Sequence, residues 1–249
     1  MAEERHGTIL GGRVALAQPR RGYRVAIDPV LLAAAVPARA RARVLELGLG
    51  TGAAALCLLA RVSSAHVTGL EADADMAARA AANAALNAMS DRLQIVAGDV
   101  LRLPRGLVGF DHVMANPPHL SPARADPRRL GAAPGANIDR AGIEAWIAAA
   151  RRALKDGGTL TLVHRADRVD EILAALRRGF GGIVLFPLWP RAGVAAKRVL
   201  IEARKASRGP ATIAPGLVLH GPDGRLTPEA EAILRDGRAL SIGSPRGAP

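Results

Sequence analysis

Residues 43–62 read RVLELGLGTGAAALCLLARV. The first five, RVLEL, are a short apolar run of the buried-strand type, and residues 53–62, AAALCLLARV, are helix-compatible. Between them stands Gly48-Leu49-Gly50-Thr51-Gly52. Glycine lets a backbone turn tightly and lets a ligand come close to it. The helix start beyond the turn offers free N–H groups and a partial positive charge to an anion. A strand, a glycine-rich turn and a helix in that order make the first unit of a doubly wound α/β sheet.

The same alternation continues downstream. HVTGLEA (66–72) reads as a second strand, and residues 73–88 as a helix with Asp73 placed to cap it. RLQIVAGD (92–99) and FDHVMANPP (110–118) read as the third and fourth strands. Residues 143–158 read as a helix stopped by glycines, 159–164 as a fifth strand and 168–179 as a helix. Residues 182–189 and 195–204 read as two final strands close enough to pair antiparallel. The predicted architecture is a mostly parallel, seven-stranded sheet with an antiparallel last strand. Residues 1–42 hold a small hairpin and a short helix, 43–206 the core, and 207–249 an extension. In that extension Thr227 caps a short helix, Pro228 opens it and Gly237 stops it.

Composition narrows the function. Of 249 residues only six are aromatic: Tyr23, Phe110, Trp146, Phe180, Phe186 and Trp189. Core filling falls to Ala, Val and Leu. The formal net charge is +12, and the only lysines are Lys155, Lys197 and Lys205, so arginine dominates the basic side. This balance points to a polyanionic partner, nucleic acid first, against the plainer reading of an Ala- and Arg-rich composition. The single cysteine, Cys57, reads as a buried helix residue and excludes an intrachain disulfide and a cysteine zinc cluster. No leader-like apolar run follows MAEERHG, and no stretch reaches membrane-span length, so a soluble cytoplasmic chain is expected. The histidines show no metal-ligand spacing; no metal is expected, and His66 and His112 read as structural strand residues.

Two acids stand in register with the glycine turn. Glu71 ends the second strand, where it can accept hydrogen bonds from both hydroxyls of a ribose, and Asp99 ends the third, placed for an adenine amino group. Either acid alone would read as a cap or a solvated loop residue; together with the turn they specify nucleoside binding. The Gly-Lys-Ser/Thr of a P-loop is absent, and G-x-G-x-G departs from the dinucleotide spacing. At the fourth strand's end, Asn116-Pro117-Pro118-His119 forms a stiff turn, because proline forbids further ladder pairing and holds its predecessor extended. The carboxyl ends of strands are where open α/β sheets bind ligands.

VLELGLGTG, GLEAD, AGD and NPP, in this order, resemble the class I S-adenosylmethionine-dependent methyltransferases, with their Rossmann-like fold. GYRVAIDPVLLAA (22–35) and the distal PLWPRAGVAAKRVLIEARKASRGP and LHGPDGRLTPEAEAILRDG resemble the bacterial tRNA(Val) adenine-N6 methyltransferases. The resemblance implies S-adenosylmethionine as cofactor, held by Glu46, Gly48, Gly50, Gly52, Glu71 and Asp99, with Asp28 added from the preceding stretch. It implies Asn116, Pro117, Pro118 and His119 as the catalytic turn: the Asn oxygen and the Pro117 carbonyl accept the amine hydrogens, and the fourth residue stacks on the base. That residue is usually Tyr or Phe; here it is His119, which offers less surface. The implied partner is tRNA, and Arg124, Arg128, Arg129 and Arg140 in the loop 121–140 stand where they can meet phosphates. The alternatives are a protein glutamine N5-methyltransferase, which uses the same turn, a small-molecule methyltransferase, and an RNA-binding protein of this fold without turnover.

Overall fold

The computed structural model describes residues 4–19, 27–118 and 141–243. His119, Tyr23 and the arginine loop 121–140 lie outside the described residues. The chain opens with a hairpin of β1 (Glu4–Ile9) and β2 (Val14–Pro19), followed by α1 (Asp28–Ala35). The alternating core runs β3 (Arg43–Leu47), α2 (Ala53–Arg61), β4 (His66–Glu71), α3 (Ala74–Leu86), β5 (Leu93–Ala97), β6 (Phe110–Ala115), α4 (Ile143–Ala153), β7 (Leu154–Arg165), α5 (Val169–Leu176), β8 (Phe180–Trp189) and β9 (Arg198–Lys205). Two short strands, β10 (Thr212–Ile213) and β11 (Leu217–Val218), and α6 (Pro228–Leu234) close it.

The main sheet has the order β10-β8-β9-β7-β6-β3-β4-β5, with β11 also on β8. The seven expected strands are all present. They are parallel except β9, which lies antiparallel between β7 and β8. Among the described residues the sheet is nine-stranded rather than seven-stranded, because β10 and β11 pair parallel with the outer edge of the ten-residue β8. Two residues each are too few to register as strands in TIAPGLVL, yet they cover an edge that would otherwise be open.

α4 ends at Ala153, short of the expected 158. Leu154 is buried and pairs with Phe110, so the sheet takes over where helix propensity alone would continue. The register then shifts between Phe110 and His112 as β7 passes Gly157 and Gly158. The third strand stops at Ala97, leaving Gly98 and Asp99 outside it.

Alternation along the strands sends side chains to two cores. Leu45 and Leu47 join Trp146, Ile147 and Ile172 under α4 and α5. Val44 joins the other face, where α1, α2, β2 and α6 share one cluster that reaches Leu240 and Ile242. Segments on both flanks of the core therefore belong to a single hydrophobic body. Asp73 caps α3 by accepting from the Asp75 and Met76 N–H groups, and Thr227 caps α6 by accepting from Ala230 N–H. Among the described residues no helix is long and apolar enough to cross a membrane.

Candidate active site

From β3 the chain winds one way through β4 to β5, and then restarts on the other side of β3 with β6 and β7. The reversal leaves a crevice at the carboxyl ends of β3 and β6, the place where open α/β sheets take ligands. Ala115 stands opposite Leu47 in the ladder, so Asn116 and Gly48, the next residues, leave the sheet side by side. The motifs that the sequence separates by 68 positions become neighbours here.

The glycine turn is held tightly. Gly48 and Leu49 both donate their N–H to the Leu70 carbonyl at the end of β4, at 2.9 and 3.0 Å. Gly48 has φ +70°, and a Cβ on it would lie 2.7 Å from Trp146 of α4. Gly52, with φ +83°, precedes the first residue of α2 and rests against Ala80 of α3. At Gly48 the turn can be neither rotated nor bulkier.

Glu71 is half-buried at the end of β4 and braces this turn. Its Oε2 accepts the Gly50 N–H at 2.6 Å and its Oε1 accepts the Asp73 N–H at 2.9 Å. Glu46 is a different kind of acid. It is 3% exposed, points from β3 beneath the start of α2, and accepts the Ala55 N–H. Burial pushes its carboxyl well above the usual range; the Ala55 N–H pulls the other way and the nearby Glu71 adds to the rise. Its Oε2 has no hydrogen-bond partner among the described residues, and neither has the buried Thr51 Oγ1 in the turn itself. Asp99 is exposed. Its Oδ1 accepts the Leu101 N–H at 2.9 Å and so caps the 3-10 turn Val100–Arg102.

On the other side of the crevice, Asn116 is half-buried, Pro117 buried and Pro118 half-buried. The Asn116 Oδ1 is shut off from solvent and has no hydrogen-bond partner among the described residues. Asp28 is apart from the glycine turn: it opens α1, is almost buried and accepts from Arg198 Nε of β9 at 3.0 Å. The structure thus brings Gly48, Gly50, Gly52, Glu71 and Asn116 to one crevice edge, sets Glu46 under it, and ties Asp28 to β9. Cys57 is buried in α2, and burial pushes its thiol up to about 12, which keeps it inert.

Sequence reasoning missed Asn83 of α3, which is fully buried and bonds both β2 and the Thr51 carbonyl. Its signal was there: asparagine is a poor helix former, and Asn83 and Asn87 sit four apart, on one helix face.

A family model described as Methyltransferase small domain matches residues 24–184. A curated relative, the tRNA1(Val) (adenine(37)-N6)-methyltransferase of Porphyromonas gingivalis, is 32% identical over 184 residues, covering 70% of this chain and 71% of that protein. A solved structure titled as a predicted O-methyltransferase, protein Atu636 from Agrobacterium tumefaciens, matches with a TM-score of 0.74 at 31% identity, over 88% of this chain and 100% of that one. An S-adenosylmethionine-dependent O-methyltransferase from Thermotoga maritima shares the fold, with a TM-score of 0.56 at 21% identity over 76% of this chain and 68% of that one. The family match runs from just before α1 into β8 and takes in the whole crevice, and on that ground the chain belongs to the methyltransferase small domain family, whose members depend on S-adenosylmethionine.

Proposed function

We propose that the protein transfers a methyl group from S-adenosylmethionine to the exocyclic N6 amine of an adenine in tRNA. The observation that carries this reading is the Asn116 side-chain oxygen, buried at the end of β6 with no partner among the described residues. A buried acceptor left unpaired costs about 1–3 kcal/mol. Such an atom makes sense when its donor arrives with the substrate.

The turn offers two acceptors, Asn116 Oδ1 and the Pro117 carbonyl. An amine or amide nitrogen carries two hydrogens to match them, whereas a hydroxyl carries one. This favours N-methylation over O-methylation. The name of the Porphyromonas relative supports an adenine in tRNA as the nitrogen's source, and a formal net charge of +12 supports a polyanionic substrate.

The residues present fit the cofactor. Each Glu71 carboxylate oxygen takes one backbone N–H and keeps capacity for one more bond, which suits the two hydroxyls of a ribose. Asp99, with Oδ1 on Leu101, has Oδ2 to offer an adenine amino group. The start of α2 beyond Gly52 offers N–H groups to a carboxylate. Glu46 holds that first turn from below, and Asp28, paired with Arg198, fixes the start of α1. When bound, S-adenosylmethionine supplies a methyl group on a cationic sulfur. Asn116 and Pro117 accept the two amine hydrogens and turn the nitrogen lone pair out of conjugation with the ring, toward that methyl. Positioning and electrostatics on developing charge do the work: the N–C bond would form as the S–C bond breaks with its electron pair left on sulfur, and the surplus proton would pass from the nitrogen to water. Pro118 contributes stiffness and no competing N–H. The base-stacking role falls by resemblance to His119, which lies outside the described residues.

Replacing Asn116 with Ala tests this. Cofactor affinity should stay within about twofold, while kcat on the true substrate should fall about 10²- to 10³-fold, the usual cost of one lost transition-state hydrogen bond. A loss of turnover below about tenfold would contradict the role of the turn.

A further inference from the structure

In the N-terminal hairpin, β2 pairs with β1 along one edge and lies against α3 along the other. There, two side-chain amides take the place of a strand. Asn87 Oδ1 accepts the Ala15 N–H at 2.9 Å and its Nδ2 donates to the Ala15 carbonyl at 2.8 Å. Asn83 makes the same pair with Ala17, at 2.8 and 3.0 Å. Each asparagine closes a backbone N–H and C=O that a free edge would leave open.

The two differ in their third hydrogen bond. Asn87, the residue that ends α3, gives its other amide hydrogen back to the Asn83 carbonyl at 2.7 Å. Asn83 gives its own to the Thr51 carbonyl at 3.0 Å, between Gly50 and Gly52 of the glycine turn. Asn83 is 0% exposed, so all three bonds are made out of water. Ala80, one helical turn before it, backs Gly52 at 3.5 Å from where a Cβ would stand. At its far end the hairpin is fixed as well: Arg13 Nη1 donates to the Asp236 carbonyl at 2.7 Å, and a Cβ on Gly11 would lie 2.4 Å from the Arg235 carbonyl oxygen.

We infer that Asn83 is a positioning residue of the cofactor site, one side chain that locks the glycine turn and the N-terminal hairpin to each other, so that cofactor affinity depends on the hairpin through it. The inference rests on the reading of the glycine turn as the cofactor's seat. Asn87 supplies the internal control, because it docks the same hairpin by the same bond pair without touching the turn.

The experiment uses the full chain and S-adenosylhomocysteine as probe, with affinity from calorimetry and stability from thermal denaturation. Asn83→Ala and Asn87→Ala should both lower the melting temperature. Only Asn83→Ala should weaken binding, by about 5- to 30-fold, the loss expected when a buried carbonyl is released from its donor. Asn87→Ala should stay within about twofold. Asn83→Asp keeps the acceptor for Ala17 N–H but faces two carbonyls with an oxygen. Its affinity should be reduced at neutral pH and recover on acidification relative to the parent chain, as the carboxyl takes up a proton and donates again. Should Asn83→Ala fail to fold, this pH recovery decides. Equal affinities for the two alanine variants, or an Asn83→Asp affinity that follows the parent's pH dependence, would overturn the inference while leaving the cofactor reading intact. A parent chain that binds no S-adenosylhomocysteine would overturn the cofactor reading, and the inference with it.

Discussion

Three acids line the edge of the sheet, and their surroundings give them three different jobs. Glu46 is buried and uncharged in tendency, and braces α2; Glu71 is half-buried and spends one bond per oxygen on backbone; Asp99 is exposed and caps a turn. Glu71 is therefore the acid whose removal should cost most in cofactor binding. Losing two hydrogen bonds to a buried diol is worth about 2–3 kcal/mol, so Glu71→Ala should bind S-adenosylhomocysteine about 30- to 150-fold more weakly by calorimetry. Unchanged affinity would remove Glu71 from the site. His112 makes a separate point about burial. Its Nδ1 lies 2.7 Å from Thr159 Oγ1, and burial lowers its pKa from 6.5 to about 4, with Asp111 pulling the other way. The folded protein thus keeps the ring neutral where the unfolded chain would protonate it. The stability tied to this neutral ring is present above about 6.5 and is lost as pH falls through about 4. An NMR titration of the native protein should show His112 protonating well below 6.5; a midpoint at the ordinary histidine value would contradict the packing described for β6 and β7.

At the scale of elements, the glycine turn works because α4 packs on it. Gly48 meets two constraints at once, a left-handed φ of +70° and Trp146 against its Cα. Gly48→Ala should destabilise the fold by about 2–4 kcal/mol, combining the backbone penalty with overpacking, as read from urea denaturation. A change under about 0.5 kcal/mol would show that Trp146 does not seat there. β3 was legible to the residue because VLEL is apolar around one acid and is followed by glycine, and the Asp73 and Thr227 caps were legible because capping chemistry is local. The end of α4 was not, since ARRALKD has helix propensity throughout and only the pairing of Leu154 with Phe110 converts it to strand. β10 and β11 escaped for the same reason: their conformation comes from the edge of β8, not from their own sequence. Of the candidate site, the glycine turn, Glu71 and Asn116 stand out in the sequence by their chemistry at strand ends. Asn83 gives only the hint of an asparagine inside a helix, because its three hydrogen bonds go to residues far away in sequence, Ala17 and Thr51.

At the scale of the molecule, the N-terminal hairpin, α1 and the tail close over one face of the sheet; Leu240 N–H bonds the Ala34 carbonyl at 2.9 Å, and α6 shares the cluster of α1 and α2. The carboxyl edge with the crevice is the side to which the proposed substrate would come. With a formal net charge of +12, association with tRNA should be driven in good part by released counterions, so affinity should fall at least about tenfold between about 50 and 200 mM salt. A flat salt dependence would argue against a nucleic-acid substrate. The most direct measurement supplies S-adenosylmethionine and unmodified tRNA to the purified protein, digests the RNA to nucleosides and identifies the product by mass spectrometry. The expected product is N6-methyladenosine, formed by the parent chain and nearly abolished in Asn116→Ala. A methyl group on a ribose or another oxygen, or one accepted by a protein glutamine amide while tRNA stays unmodified, would contradict it.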